Sequence, residues 1–176
     1  MFERTVSALA AALFLAGGPA AARDLAYTAT LSGHTASTET GSKATGQARI
    51  LVHPGERTLD LTLDVQGLSI TDLWSRLANT PMGPIHLHLY GSHDHADPNS
   101  SLLFPVPMGE TYSATPTGFR VVMKNYPYAE GALRLRSDVT FDDFVKSLDG
   151  GKVVLNIHTN AKTDGEISGD VVPVQS

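Results

Sequence analysis

Residues 83–97 read GPIHLHLYGSHDHAD and hold four of the chain's seven histidines. The first half alternates without a break: Ile85, Leu87 and Leu89 fall on one parity, His86 and His88 on the other. On a strand, side chains two apart share a face and stand roughly 6.5–7 Å apart at the backbone. A strand here seals a core with its apolar parity and presents two imidazoles that can converge on one ion. The second half, with His93, Asp94, His95 and Asp97, reads as a polar loop carrying further donors.

The same period of two recurs on both sides of this stretch. Leu25 to Leu31 and Ala44 to Val52 alternate, and a turn follows at His53-Pro54-Gly55-Glu56. From Thr58 to Gln66 the pattern is clearest. Leu59, Leu61, Leu63 and Val65 face one way, against Thr58, Asp60, Thr62, Asp64 and Gln66. One dry and one wet face is the signature of an antiparallel sheet packed on one side. Thr71 to Ala78 reads as a short helical turn, with Trp74 expected as a cap on the core. Further strands are expected at Leu102 to Val106, Phe119 to Met123 and Ala132 to Arg136, with a loop from Pro107 to Gly118. The Tyr126-Pro127-Tyr128 loop is read as an aromatic plug.

Thr140 to Leu148 is the clearest helix. Thr140 and Asp143 form a capping box, Phe141, Phe144, Val145 and Leu148 take helical spacing, and Gly150-Gly151 stops it. Two last strands follow, Lys152 to His158 and Glu166 to Val172. About nine short strands and one helix, with no βαβ rhythm, point to an all-β, Greek-key antiparallel β-sandwich with one short capping helix.

Composition bounds the function. Residues 1–22 carry Arg4, an apolar run from Val6 to Gly17 and an Ala20-Ala21-Ala22 cleavage site, as an export signal does. Their removal from 176 residues leaves 154, a single domain at 23–176. No later segment is apolar for long enough to span a bilayer. A net charge of −5 without a basic patch argues against nucleic acid. With no cysteine, disulfides, thiolate ligands and a lipoprotein anchor are excluded, and any metal site must use nitrogen and oxygen. No nucleophile elbow or phosphate-binding glycine loop is present.

Three stretches resemble the chordin-type (CHRD) domain: Leu31-Ser32-Gly33, the Ile85-His86-Leu87-His88 strand, and Asn156-Ile157-His158-Thr159 followed by Gly165-Glu166-Ile167-Ser168-Gly169. The resemblance covers nearly all of residues 25–172 and departs at Ser168, where the family usually carries arginine. It implies a secreted β-domain and an interaction module for an extracellular protein or glycan. A fainter resemblance is to copper–zinc superoxide dismutases, over residues 46–52, 59–68, 83–91 and 153–164. It implies a superoxide-dismutase-like topology in which His86, His88 and His158 match copper ligands and His93 or His95 a bridging or zinc-binding histidine. The disulfide of those enzymes is missing here. So is their anion-guiding arginine, since no arginine follows Arg136.

The candidate site is therefore His86, His88 and His158, with His93 and His95 as further metal ligands and water or His34 as other choices for a fourth position. Imidazole suits copper and zinc, and without sulfur the order of affinities puts copper first. Such a site is expected to weaken as pH falls through about 6.5. The competing reading has these histidines bonding backbone at strand ends. His34 and His53 read as surface residues. Glu166 reads either as a carboxylate orienting His158 or as a turn-closing acceptor. Asn99-Ser100-Ser101 fits a glycosylation acceptor. The sequence supports an exported, periplasmic or secreted metal-binding domain first, an interaction module second and a dismutase third.

Overall fold

The computed structural model describes residues 23–34, 39–90 and 101–175. The expected leader, the loop with His93 and His95, and most of the glycosylation motif lie outside the described residues. The described strands are β1 (Leu25–Ser32), β2 (Thr45–His53), β3 (Thr58–Gln66), β4 (Ile85–Leu89), β5 (Ser101–Val106), β6 (Tyr112–Thr115), β7 (Gly118–Pro127), β8 (Val153–Ile157), β9 (Ile167–Asp170) and β10 (Val172–Pro173). All pair antiparallel in one curled sheet of order β5-β4-β8-β9-β1-β2-β3-β7-β6, with β10 also on β1.

The register follows the alternation. Leu59, Leu61, Leu63 and Val65 of β3 are at most 2% exposed, while Asp64 and Gln66 face solvent. The chain crosses repeatedly between the β1-β2-β3-β7-β6 half and the β5-β4-β8-β9 half. That weave is the Greek-key character expected of the sequence. It folds the dry faces together: Ile50, Leu61 and Phe119 share one core with Ile85, Phe104 and Leu155.

Asp60 secures the bulge between β3 and β7, accepting from the Asn125 amide at 2.7 Å and the Lys124 ammonium at 2.8 Å. Strand β8 differs from β3, because all five of its residues are buried. A strand covered on both faces loses the wet parity of a half-exposed one. Its second face, with Val154 and Asn156, carries the candidate site.

Two elements correct the sequence reading. Ala132 to Arg136 is not a strand but part of a helix, Tyr128–Leu135. Ala, Glu, Leu and Arg are strong helix formers, and alternating leucines and arginines imitate a period of two over five residues. The loop from Pro107 to Gly118 contains β6, which hairpins onto β7.

The helices are α1 (Ser75–Ala78), α2 (Tyr128–Leu135) and α3 (Phe141–Asp149). Helix α3 is capped by Thr140 as expected, its hydroxyl oxygen accepting from the Asp143 amide at 3.1 Å. The Asp143 carboxylate, however, accepts from that hydroxyl at 2.7 Å instead of from the Thr140 amide that a capping box would use. Helices α2 and α3 close one end of the fold through Phe104, Tyr128, Phe141 and Phe144, whose rings lie 4.9–6.5 Å apart in their contacting pairs. Tyr128, 4% exposed, is packed as the plug reading expected, but the expected loop is the end of β7 running directly into α2.

At Gly131 two effects oppose each other. A Cβ there would overlap the Phe104 ring, which is fully buried. Alanine normally gains about 1 kcal/mol over glycine inside a helix, whereas overpacking a fixed core costs about 1–3 kcal/mol. The clash should win. Gly131→Ala is expected to lower stability by about 1–2 kcal/mol in urea unfolding, and a more stable variant would show that α2 does not sit against β5 this closely.

Candidate metal centre

Strands β4 and β8 pair so that His86 lies opposite Asn156 and His88 opposite Val154. Residues directly opposite each other share a face. Ile85 and Leu87 point into the core at 0% and 2% exposure, as the alternation required. Just past the end of β8, the His158 amide donates to the Pro84 carbonyl at 2.9 Å. This carries its ring back toward the other two. The ring centroids lie 5.0 Å (His86 to His158), 5.6 Å (His86 to His88) and 5.9 Å (His88 to His158) apart.

One nitrogen from each ring lies within 4.8 Å of the other two. An ion held at about 2.0–2.1 Å by each nitrogen needs them roughly 3.3–3.6 Å apart.

The environment of the rings separates a metal site from a structural one. His158 Nδ1 donates to the Thr163 carbonyl at 2.7 Å. That bond fixes the proton on Nδ1 and leaves the Nε2 lone pair free. His158 Nε2 and both nitrogens of His86 and of His88 are inaccessible to solvent and have no hydrogen-bond partner among the described residues. Backbone bonding therefore accounts for one nitrogen of His158 and, apart from the Gly83 backbone near His86, for neither ring of the His-x-His pair.

Burial lowers all three pKa values. His86 falls to about 3, through burial first and then the charges His158 and His88 would carry, against a loose backbone interaction at Gly83. His88 falls to about 4, through burial and then His158. His158 is lowered by burial, against the Thr163 carbonyl and Asp164. His86 and His88 are therefore neutral, as ligands must be, well below the pH 6.5 expected from free imidazole, and His158 is shifted in the same direction.

The late loop is built to hold His158. Gly165, at φ 124°, leaves no room for a Cβ beside the Asn156 amide beneath it. Glu166 does not reach His158. Its carboxylate accepts from Ser42 Oγ at 2.8 Å and Thr159 Oγ1 at 2.6 Å, tying the loop to the segment before β2. Lys162 serves the loop through its backbone, bonding Thr159 in both directions.

Trp74 is not a core cap. Its amide donates to the His158 carbonyl, and its half-buried ring stands 6.3 Å from that imidazole, on the flank of the site. Tyr90 flanks His88 at 6.0 Å. Neither residue was marked for the site by its sequence position, because the crossing connection before β4 brings Trp74 there. His34 is exposed beside Glu39, and His53 pairs with Asp24 at 2.9 Å, both away from the cluster. A groove of about 380 Å³ along the start of β1, bounded by Tyr27, Asp149 and Val174, contains none of the histidines.

The family model described as the CHRD domain matches residues 27–171. No curated protein and no solved structure matches the chain.

The lowered pKa values have a consequence for the metal-free fold. Below about pH 6.5 the unfolded chain binds protons on these histidines and the folded chain does not. Stability is therefore lost as pH falls from 6.5 toward 4 and 3, where His88 and His86 protonate in the fold. His53, raised chiefly by its bond to Asp24, acts in the opposite sense. Its stabilisation is present below 6.5 and disappears at higher pH, but its partner is half exposed and the effect is small. The metal-free protein should lose about 2 kcal/mol between pH 7 and pH 5.5, above the carboxylate range. A urea midpoint unchanged over that interval would contradict the burial of these rings.

Proposed function

We infer that this chain, which belongs to the CHRD-domain family, is an exported domain that holds a metal ion on His86, His88 and His158. CHRD domains occur in secreted proteins, and among the described residues no helix is long and apolar enough to cross a membrane. Copper comes before zinc, because the donors are imidazoles and no sulfur competes. Such a centre fits scavenging or handling of metal at the cell envelope or outside it.

One observation carries the reading: within the cluster of His86, His88 and His158, five imidazole nitrogens are buried without hydrogen-bond partners among the described residues, against a single such nitrogen elsewhere, His53 Nε2. Leaving a buried polar atom unpaired costs about 1–3 kcal/mol. Apolar side chains would fill the same face without that penalty, so the rings need a compensating partner. An ion accepting one lone pair from each ring is that partner for three of the five nitrogens. His158 contributes Nε2, oriented by the Thr163 carbonyl, and His86 and His88 each contribute one nitrogen from the strand. Bound copper would supply one-electron chemistry, while the protein keeps the ligands neutral, oriented and dry. His93 and His95 remain proposed ligands in the loop that follows.

The family match favours a second reading, a module whose loops or edge strands bind an extracellular protein or glycan. Dismutase activity is the third, weakened by the lack of arginine after Arg136. Elemental analysis of the protein purified without chelator or histidine tag, followed by titration, separates the readings. Near-stoichiometric copper or zinc is expected, with affinity at least 100-fold weaker in His86→Ala/His158→Ala. A parent chain that takes up neither ion would leave the interaction module as the better reading.

A further inference from the structure

The charge around the three rings bears on which ion they suit. Among the described residues no carboxylate joins the three rings in their cluster, and no acidic side chain is buried. At His158 the one carboxylate felt is that of Asp164, an exposed residue and the weakest influence there. Among the described residues Glu166 is engaged by Ser42 and Thr159 and Asp72 by Ser69, while Asp170, one strand beyond Val154 on the rung of His88, is exposed to solvent. Opposite His86, at 2% exposure, stands Asn156, a neutral amide where an aspartate of the same shape would have charged the site.

The cost of moving an ion out of water grows with the square of its charge, so a divalent ion carries about four times the penalty of a monovalent one. A buried carboxylate would offset the second charge, and none is present among the described residues. His86 and His158 are also nearly closed to solvent, at 2% and 7% exposure. That leaves little space for the water ligands with which cupric and zinc ions complete their shells. Sulfur is the softer donor for cuprous ion, but the chain has no cysteine to offer it. We propose that the centre, on the metal-binding reading above, selects a singly charged ion, cuprous copper, over cupric copper and zinc, and that the neutrality of Asn156 is part of that selection.

The test is a set of affinities. The mature chain is titrated anaerobically with Cu(I) against a chromophoric cuprous chelator, and separately with Cu(II) and Zn(II) against competitors of known affinity. Cu(I) should bind at least 100-fold tighter than Cu(II), which places the bound couple about 120 mV above that of free copper ions. Asn156→Asp should narrow the ratio at least tenfold by favouring the divalent ions. The wild-type ratio decides the question even if that variant fails to fold.

Cu(II) or Zn(II) binding as tightly as Cu(I), and lost in His86→Ala/His158→Ala, would overturn the charge selection and leave the metal site standing. A chain that binds none of the three ions would overturn both.

Discussion

Strand β8 is buried on both faces, as is its partner β4 from Ile85 to Leu87, and the rest of the structure is arranged around that constraint. One face is ordinary: Ile85, Leu87, Val153, Leu155 and Ile157 pack into the core shared by both halves of the curled sheet. The other carries His86, His88, Asn156 and, just beyond the strand, His158, at exposures that apolar residues would tolerate without cost. Backbone pairing fixes the rungs of the ladder, so the rings cannot leave this face without breaking the register. A one-residue slip would put leucines on the site face and histidines in the core.

The third ring depends on a loop, and the loop is held from several directions. The Thr163 carbonyl selects the tautomer of His158, and Gly165 makes room for the Asn156 side chain. Glu166 joins Thr159 to Ser42, while the Asn160 side chain bonds Ser75 on one side and the Leu73 carbonyl on the other. These bonds do not touch the candidate donor nitrogens. They keep a non-repetitive segment rigid enough to present one nitrogen toward two others on a strand, which is what a preorganised site requires.

The strands were legible because their periodicity reports burial directly. Leu59 to Val65 and Ile85 to Leu89 each face a core on one parity, so alternation locates them and identifies which side chains travel together. The His-x-His spacing and the late histidine were therefore readable as one face plus a strand end. Legibility failed where short-range pattern and packing diverge. Tyr128 to Leu135 has too few residues for a period of two and a helical period to separate, and Gly131, its closest contact to β5, looks like a breaker in the sequence. Trp74 looked like a core residue because nothing local states which surface a crossing connection lies upon. Glu166 had two plausible partners, and the segment before β2, more than a hundred residues away, decided between them.

The absence of cysteine connects the site to where such a domain works. A thiolate would bind a soft ion more strongly than imidazole, but in an oxidising compartment paired thiols become disulfides and cease to be ligands. Imidazole makes no such cross-link, and its weakness, competition from protons, is removed by burial, which holds His86 and His88 neutral down to about pH 3 and 4. The same burial makes the empty site costly to the fold, since five nitrogens then lack partners among the described residues. On the metal-binding reading, binding and folding are coupled through one set of atoms. An ion that takes one nitrogen from each ring would stabilise the native state in proportion to the logarithm of its concentration over its dissociation constant, so metal supply and the persistence of the folded domain would become one equilibrium.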